Sequence, residues 1–301
     1  MFGVRGQLFR DSQAVVGLRG LTYGGNFRTN TNLDDEKKMN DAGPIIKFEK
    51  RGSVAEIRFN RPKHLNSLNI KVSESFAEAV GRIAGDPSIR VIVLSGEGRS
   101  FMAGGDLAMF HAADDKPAAA RALIGNINLS LKQLASMPQI SIARIQGAVA
   151  GAGVSFALAA DLAIASDDAT FSLAYAKIGA SPDCGVSWEL PRIVGTRRAM
   201  EIALLPDTIT AEESLRLGLV NKVVPRARLD DEIAALADRL ANGPSVAYGN
   251  IKRLIRGSYE HTYSEQLDRE KESFAQCAGT DDFAGAVDAF FSKTKHEFQG
   301  S

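Results

Sequence analysis

The sequence predicts an α/β protein with a central parallel sheet and a helical C-terminal region. Short β-branched apolar runs alternate with patterns of helical spacing up to about Leu205, which is the order expected of a parallel α/β core. Past Arg197 the pattern is mostly helical. Hydrophobic residues make up 45% and charged residues 24% of the 301 residues. These values are typical of a globular chain and exclude disordered and fibrous proteins.

The core is assigned to residues 44–205. Ile45–Glu49 and Val54–Asn60 are short runs separated by Lys-Arg-Gly-Ser, the pattern of a hairpin. Asn69 can cap a helix that runs to about Ala84. The continuous apolar run Val91–Leu94 is typical of a strand buried on both faces. The remaining predicted core elements are a helix from about Pro117 to Met137, a strand at Ile140–Ile145, a buried helix at Gly151–Ala160 and a strand at Leu162–Ala165.

The C-terminal region, residues 206–301, is predicted to be a helical part used for packing or assembly. Apolar residues at helical spacing predict helices at Arg197–Leu205, Ala211–Leu217, Leu229–Ala241, Val246–Arg256, Tyr263–Ala275 and Asp281–Phe291. The last two carry apolar side chains that a monomer would partly expose, which are Phe274, Val287, Phe290 and Phe291.

Residues 1–43 differ from the rest of the chain. Gly, Asn, Thr and Arg dominate there, and apolar periodicity is poor. Before Asp34 a single acidic residue, Asp11, accompanies four arginines, which is a weak transit-peptide pattern. We interpret this segment as a mobile or tag-like leader and expect a cytoplasmic protein. The mitochondrial matrix is the alternative if the segment is a transit peptide.

The charge balance excludes several classes of partner. The 36 basic residues equal the 36 acidic ones, whereas a protein that binds nucleic acid through bulk charge carries a basic excess. No apolar run approaches the ~18–20 residues that span a bilayer. Two cysteines and four histidines argue against a disulfide scaffold and a structural zinc site. We expect no nucleic acid, no membrane and no metal as partners.

Three glycine-containing segments are candidates for backbone chemistry: Phe101–Asp106, Gly147–Gly153 and Pro182–Gly185. The first two each follow a predicted strand and precede a helix. Without side chains in the way, their N–H groups can approach a ligand near the positive end of a helix dipole. Two N–H groups that converge on one oxygen would form an oxyanion hole. Tight turns and close helix packing explain these glycines equally well.

Taken together, these segments resemble the enoyl-CoA hydratase/isomerase (crotonase) superfamily. The resemblance covers about residues 45–298 and rests on the stretches 60–68, 101–106, 147–155, 171–185, 190–195 and 215–220. It implies a ClpP/crotonase-like spiral of ββα units whose helical C-terminal region builds homotrimers or dimers of trimers. It also implies acyl-CoA substrates, a stabilised thioester enolate, and no cofactor apart from the coenzyme A that the substrate carries.

The resemblance also implies roles for individual residues. The oxyanion-hole donors would be the N–H groups of Ala103 and Ala152. The positions that line coenzyme A in the family are Lys63, His64, Leu65, Gly104, Gly105 and Asp106. Phe290 and Lys293 match a pair through which a neighbouring subunit contacts coenzyme A, and an ordinary amphipathic helix end explains that pair equally well.

The resemblance places Ser155 and Tyr175 at the two positions where hydratases of the family carry glutamates. A serine hydroxyl or a phenol is a poor general base near neutral pH, so we assign both residues to the wall of the pocket. Asp183 is the carboxylate that remains nearby. In isolation Pro-Asp-x-Gly is ordinary turn chemistry. The resemblance to the phenylacetate-pathway isomerase and to the 4-chlorobenzoyl-CoA dehalogenases instead implies a catalytic aspartate.

One carboxylate suffices for a shift of a double bond from Δ3 to Δ2, so isomerisation is the leading hypothesis. A dehalogenase would need a histidine that residues 125–129 do not contain. A hydratase or hydrolase that pairs Asp183 with Tyr175 or His111 remains an alternative, as does a weakly catalytic acyl-CoA-binding subunit. We expect Trp188 to serve in packing and Glu189 to lie on the surface.

Overall fold

The computed structural model describes residues 43–301. The predicted leader lies outside the described residues apart from Gly43. The nine strands of the described part are β1 Ile46–Arg51, β2 Val54–Phe59, β3 Val91–Gly96, β4 Ile140–Ile145, β5 Ala148–Ala150, β6 Leu162–Ser166, β7 Thr170–Ser172, β8 Ile209–Thr210 and β9 Lys222–Val224.

Eleven α-helices connect and cover these strands within residues 43–301. They are α1 Ile70–Ala84, α2 Leu107–Ala112, α3 Lys116–Ser136, α4 Ala152–Ala159, α5 Val186–Val194, α6 Thr196–Leu204, α7 Ala211–Arg216, α8 Leu229–Ala241, α9 Ser245–Gly257, α10 Tyr263–Ala278 and α11 Asp281–Ser292. In this part of the chain no helix is both long enough and apolar enough to cross a membrane.

The main sheet has six strands in the order β1-β2-β3-β4-β6-β9. The first two strands form the antiparallel hairpin that the sequence predicts, and each later neighbour pairs in parallel. A second sheet joins β5, β7 and β8. The α/β class is therefore confirmed. Strand β9 lies in the stretch that the sequence predicts to be helical. The sequence does not reveal this strand, because three residues are too few to show the two-residue period of a strand.

Strand β3 is buried on both faces, as its continuous apolar run predicts. Ile92 and Leu94 belong to the larger core, where Phe59, Phe76 and Phe156 meet with ring centroids 5.2–5.6 Å apart. The alternate residues of β3 face helix α8 in a smaller core. Side chains alternate along a strand, so one strand serves both cores.

A buried group of charges joins helices α5 and α9 to the sheet. Asp161 contacts Lys252 and Arg256 at 2.9 Å each, and Arg256 contacts Glu189 at 3.1 Å. Burial alone would raise the pKa of Asp161, but these two cations hold it below its ordinary value. The prediction of a surface position for Glu189 is wrong, because its side chain is 20% exposed and ion-paired. Trp188 packs as expected, with the Arg192 guanidinium 3.7 Å from its ring centroid.

We expect Asp161→Asn to destabilise the protein strongly. The substitution leaves the Lys252 side chain, which is 4% exposed, without its counter-charge, and such a loss costs about 3–5 kcal/mol of unfolding free energy. Because the pKa of Asp161 lies below 3.8 when folded, its contribution is present above that pH and is lost as the pH falls. The measurement is the urea midpoint at pH 7.

Asp268→Asn is the matched control, because Asp268 pairs with Lys271 on the surface, where both side chains are at least 66% exposed. Its urea midpoint should equal that of the unchanged protein. Equal midpoints for the Asp161 and Asp268 variants would show that the buried group of charges contributes no stability.

Candidate active site

A cavity of about 660 Å³ lies beside the two glycine segments that follow β3 and β4. Its lining contains all three residues predicted to be catalytic, namely Ala103, Ala152 and Asp183. The rest of the lining comes from helices α2 and α3 and from residues 174–184, and its large apolar members are Leu68, Leu107, Phe110, Leu123, Ile124, Ile127 and Ile178. The fold thus brings a carboxylate, backbone amides and an apolar wall into one space.

The amide of Ala103 is already in use. Its N–H donates to the Leu65 carbonyl oxygen at 3.0 Å, which removes Ala103 as the first oxyanion donor. The oxyanion role predicted for the Ala103 N–H is therefore wrong, and another amide of the same segment has to be considered. The Leu68 N–H donates to the Gly104 carbonyl oxygen, and the Asp106 N–H donates to the Leu68 carbonyl oxygen, at 2.8 Å each. Gly105 is paired with Leu68 in an isolated parallel bridge. In such a bridge the bonds to the partner come from the residues on either side, so the Gly105 N–H faces away from Leu68.

The second glycine segment ends in helix α4, which begins at Ala152. The first N–H groups of a helix have no acceptor within the helix, and the positive end of the helix dipole lies there. Within residues 43–301 the Ala152 N–H has no backbone acceptor, and Ala152 lines the cavity.

Two glycines allow these segments to touch. Gly104 has φ +84°, and a Cβ there would lie 3.0 Å from the Ala150 oxygen and 3.4 Å from the Ala152 nitrogen. A Cβ on Gly153 would collide with the Met102 carbonyl oxygen. The Ala150 N–H also donates a hydrogen bond of 2.9 Å to the Met102 carbonyl oxygen, which joins the two segments. Close packing is therefore one reason for the glycines, and it also brings the two amide segments together.

Asp183 is held by the two residues that the sequence assigns to the wall. The Tyr175 hydroxyl donates to Asp183 Oδ1 at 2.5 Å. Ser155 Oγ lies 3.2 Å from the Tyr175 hydroxyl and donates to the Asp183 carbonyl oxygen at 3.0 Å. Tyr175 lines the cavity. Ser155 does not, and its assignment to the wall is corrected, because it is fully buried behind Tyr175.

Burial and charge keep the neighbours of Asp183 protonated. Burial, and then the negative charge of Asp183, raise the pKa of Tyr175 far above its ordinary value. The same two causes raise the pKa of the Cys184 thiol. Neither group can serve as a base near neutral pH.

Cys184 is a cavity residue that the sequence does not single out. Its φ of +52°, followed by +85° at Gly185, turns the chain sharply between Asp183 and the start of helix α5. A left-handed residue that is not glycine is uncommon. Spacing alone gave no signal for it, since Pro-Asp-x-Gly predicts a turn without saying which residue takes the strained position.

Lys116 also lines the cavity. It begins helix α3, where a charged side chain in the first turn normally indicates a solvent-facing position. Leu123 and Ile127 of the same helix belong to the cavity wall as well as to the core. His111 is exposed on helix α2 and does not line the cavity.

The predicted coenzyme A positions separate into groups. Gly104 and Gly105 line the cavity. Asp106 does not, because its carboxylate accepts from the Ala108 N–H at 3.1 Å and pairs with Arg61 at 2.9 Å. The remaining predicted residues lie outside the cavity lining, at exposed or half-buried positions. They are Lys63, His64 and Leu65, together with Phe290 and Lys293 at the end of helix α11.

Within residues 43–301 no group of three or more His, Cys, Asp or Glu side chains could hold a metal ion. Among these residues the cavity lining includes one carboxylate, that of Asp183. A carboxylate in this position is suited to moving a proton on a carbon next to a carbonyl group, and backbone amides at the cavity are suited to stabilising the charge that develops on the carbonyl oxygen.

The chain is similar to known proteins over most of its length. Residues 49–301 match the family model of enoyl-CoA hydratase/isomerase. The chain is 35% identical to the 1,2-epoxyphenylacetyl-CoA isomerase of Escherichia coli, over 85% of this chain and 98% of the isomerase. It is 34% identical to a 4-chlorobenzoyl coenzyme A dehalogenase of Arthrobacter, over 82% of this chain and 91% of the dehalogenase.

Among solved structures, an enoyl-CoA hydratase from Polaromonas superposes with a TM-score of 0.81 at 30% identity, over 84% of this chain and 99% of that one. The crotonase fold that the sequence motifs imply is therefore confirmed. With its fold and most of its length shared with these proteins, the chain belongs to the enoyl-CoA hydratase/isomerase family.

Proposed function

We propose that this enzyme isomerises enoyl-CoA thioesters by moving a double bond from Δ3 to Δ2. The observation that carries the proposal is that, among the described residues, Asp183 is the single carboxylate in the cavity lining. A 1,3-proton shift needs one group that accepts a proton and returns it. Hydration needs two groups, one to activate water and one to supply a proton.

In the proposed reaction Asp183 removes a proton from the carbon between the thioester and the double bond. The electron pair moves into a dienolate, whose charge rests on the thioester oxygen. Asp183 then returns the proton two carbons further along, and the double bond becomes conjugated with the thioester. The number of protons and electrons is unchanged, and neither water nor a cofactor is consumed.

We assign the stabilisation of the enolate oxygen to the N–H groups of Gly105 and Ala152. Gly105 replaces Ala103 in this role, because the Ala103 amide is bonded to Leu65. The contact between Gly104 and the start of helix α4 supports the convergence of the two amides. Fixed donors of this kind contribute most in a water-poor site.

The comparisons leave hydratase and dehalogenase activities as alternatives, and the cavity argues against both. The hydratase positions carry Ser155, which is outside the lining, and Tyr175, which stays protonated. Of the described residues that line the cavity, none is a histidine, and a histidine is what a dehalogenase would need to activate water. A merely binding subunit would have no use for a carboxylate beside two amides.

For the coenzyme A moiety we propose the exposed side chains Lys63 and His64 near the first glycine segment, with Lys116 at the cavity. Phe290 and Lys293 would reach it from a neighbouring subunit. Phe290 is 78% exposed in one chain, and Phe274 and Phe291 are exposed as well. We therefore propose a homotrimer or a dimer of trimers, in which the C-terminal helices are covered.

Asp183→Asn should lose at least ~10²-fold in kcat/KM on a 3-enoyl-CoA, the lower end for loss of a general base. The amide keeps the size of the side chain but accepts no proton at neutral pH. Steady-state kinetics at pH 7 provide the measurement. Asp268→Asn, which changes an exposed aspartate in the same way, should retain full activity. A fully active Asp183→Asn would refute the assignment of the base.

We also expect the unchanged enzyme to isomerise a 3-enoyl-CoA at least ~10² times faster than it hydrates crotonyl-CoA, because hydration lacks its second acid–base group. Both rates can be followed with one enzyme preparation by liquid chromatography of the CoA esters. Rapid hydration of crotonyl-CoA would instead favour the hydratase alternative.

Light scattering at micromolar concentration should give three or six times the 32.2 kDa of one chain. The reason is the exposed apolar side chains of helices α10 and α11, which a stable monomer would leave in water. A monodisperse single chain would contradict the assembly and the role of Lys293 in a neighbouring site.

A further inference from the structure

Ser155 and Tyr175 are linked to Asp183 and to each other. The phenol is 2.5 Å from Asp183 Oδ1, and the serine hydroxyl is 3.2 Å from the phenol and 3.0 Å from the Asp183 carbonyl oxygen. Three contacts among three residues are more than a passive wall requires.

The directions of these hydrogen bonds are determined by the number of hydrogens. A phenol carries one hydrogen, and Tyr175 gives it to the Asp183 carboxylate. The contact between the two hydroxyls can therefore be a hydrogen bond only through the one hydrogen of Ser155, which also has the Asp183 carbonyl oxygen as an acceptor at 3.0 Å. Ser155 is fully buried and Tyr175 is 8% exposed, so both side chains lie mostly out of bulk solvent.

We propose that Tyr175 is a positioning residue for Asp183, and that Ser155 holds Tyr175 in place. The phenol binds Oδ1 and fixes the carboxyl rotamer, which leaves Oδ2 to meet the substrate carbon. The inference rests on the isomerase function proposed above and adds to it the pair that controls its base.

The bond has an electrostatic consequence as well as a geometric one. A hydrogen bond donated to an ionised carboxylate favours the ionised form. Asp183 must be ionised to accept a proton from the substrate. Removing the phenol hydrogen bond should therefore change the pH dependence of the reaction. Tyr175 itself does not exchange protons with the substrate, because burial and the adjacent carboxylate keep its hydroxyl protonated.

A purely structural role for Tyr175 would affect stability but not the pH profile, so the pH profile is the test. In Tyr175→Phe the ring is kept and the donor is lost. The acid limb of kcat/KM should then move to higher pH by about one unit, as expected for the loss of one strong hydrogen bond to a charged group. Tyr263→Phe makes the same chemical change at a side chain that is 80% exposed, and its acid limb should coincide with that of the unchanged enzyme.

A second variant keeps the shape of the side chain and changes only the strength of the donor. Replacing Tyr175 with 3,5-difluorotyrosine makes the phenol more acidic and hence a stronger donor, so the acid limb should move to lower pH. Opposite shifts in the two variants would support positioning. An acid limb that stays at the pH of the unchanged enzyme in both folded variants would overturn it. Failure of the isomerase proposal is seen separately, as full activity in Asp183→Asn.

Discussion

The backbone contact between the two glycine segments is the constraint on which the site depends. The Met102 carbonyl oxygen accepts a hydrogen bond from the Ala150 N–H. Gly153 packs so closely on the same carbonyl that no side chain fits between them. This contact ties the end of β3 to the start of helix α4 across two sheets. It brings the segments that carry Gly105 and Ala152 together beside the cavity, whose lining also includes Asp183 from the loop before helix α5. A side chain at Gly153 would force these two segments apart.

The sequence predicted the fold class and most elements, because both depend on local pattern. The continuous run of β3, the capping Asn69 and the hairpin are all found. Strand β9 was missed, since three residues acquire their structure from pairing with β6 and not from their own pattern. Glu189 was misplaced for a related reason, because its partner Arg256 lies 67 residues away in the chain.

The site shows the same division between local and long-range information. The family resemblance implies roles for Asp183 and Ala152, and both line the cavity. It implies one for Ala103 too, but which amide of that segment is free depends on the bonds of the segment to Leu65 and Leu68. The contact of Tyr175 with Asp183 joins residues eight positions apart through a turn. No periodicity predicts which way that turn directs the phenol.

The number of carboxylates in the cavity connects the structure with the reaction. Two carboxylates close together in an apolar space resist being charged together, and they tend to adopt opposite protonation states. Such a pair suits hydration, which needs a base and an acid at once. Here a phenol that stays neutral stands at one of the two hydratase positions, and among the described residues Asp183 is the one carboxylate of the cavity lining. This arrangement suits a reaction in which the same group must accept a proton and then return it.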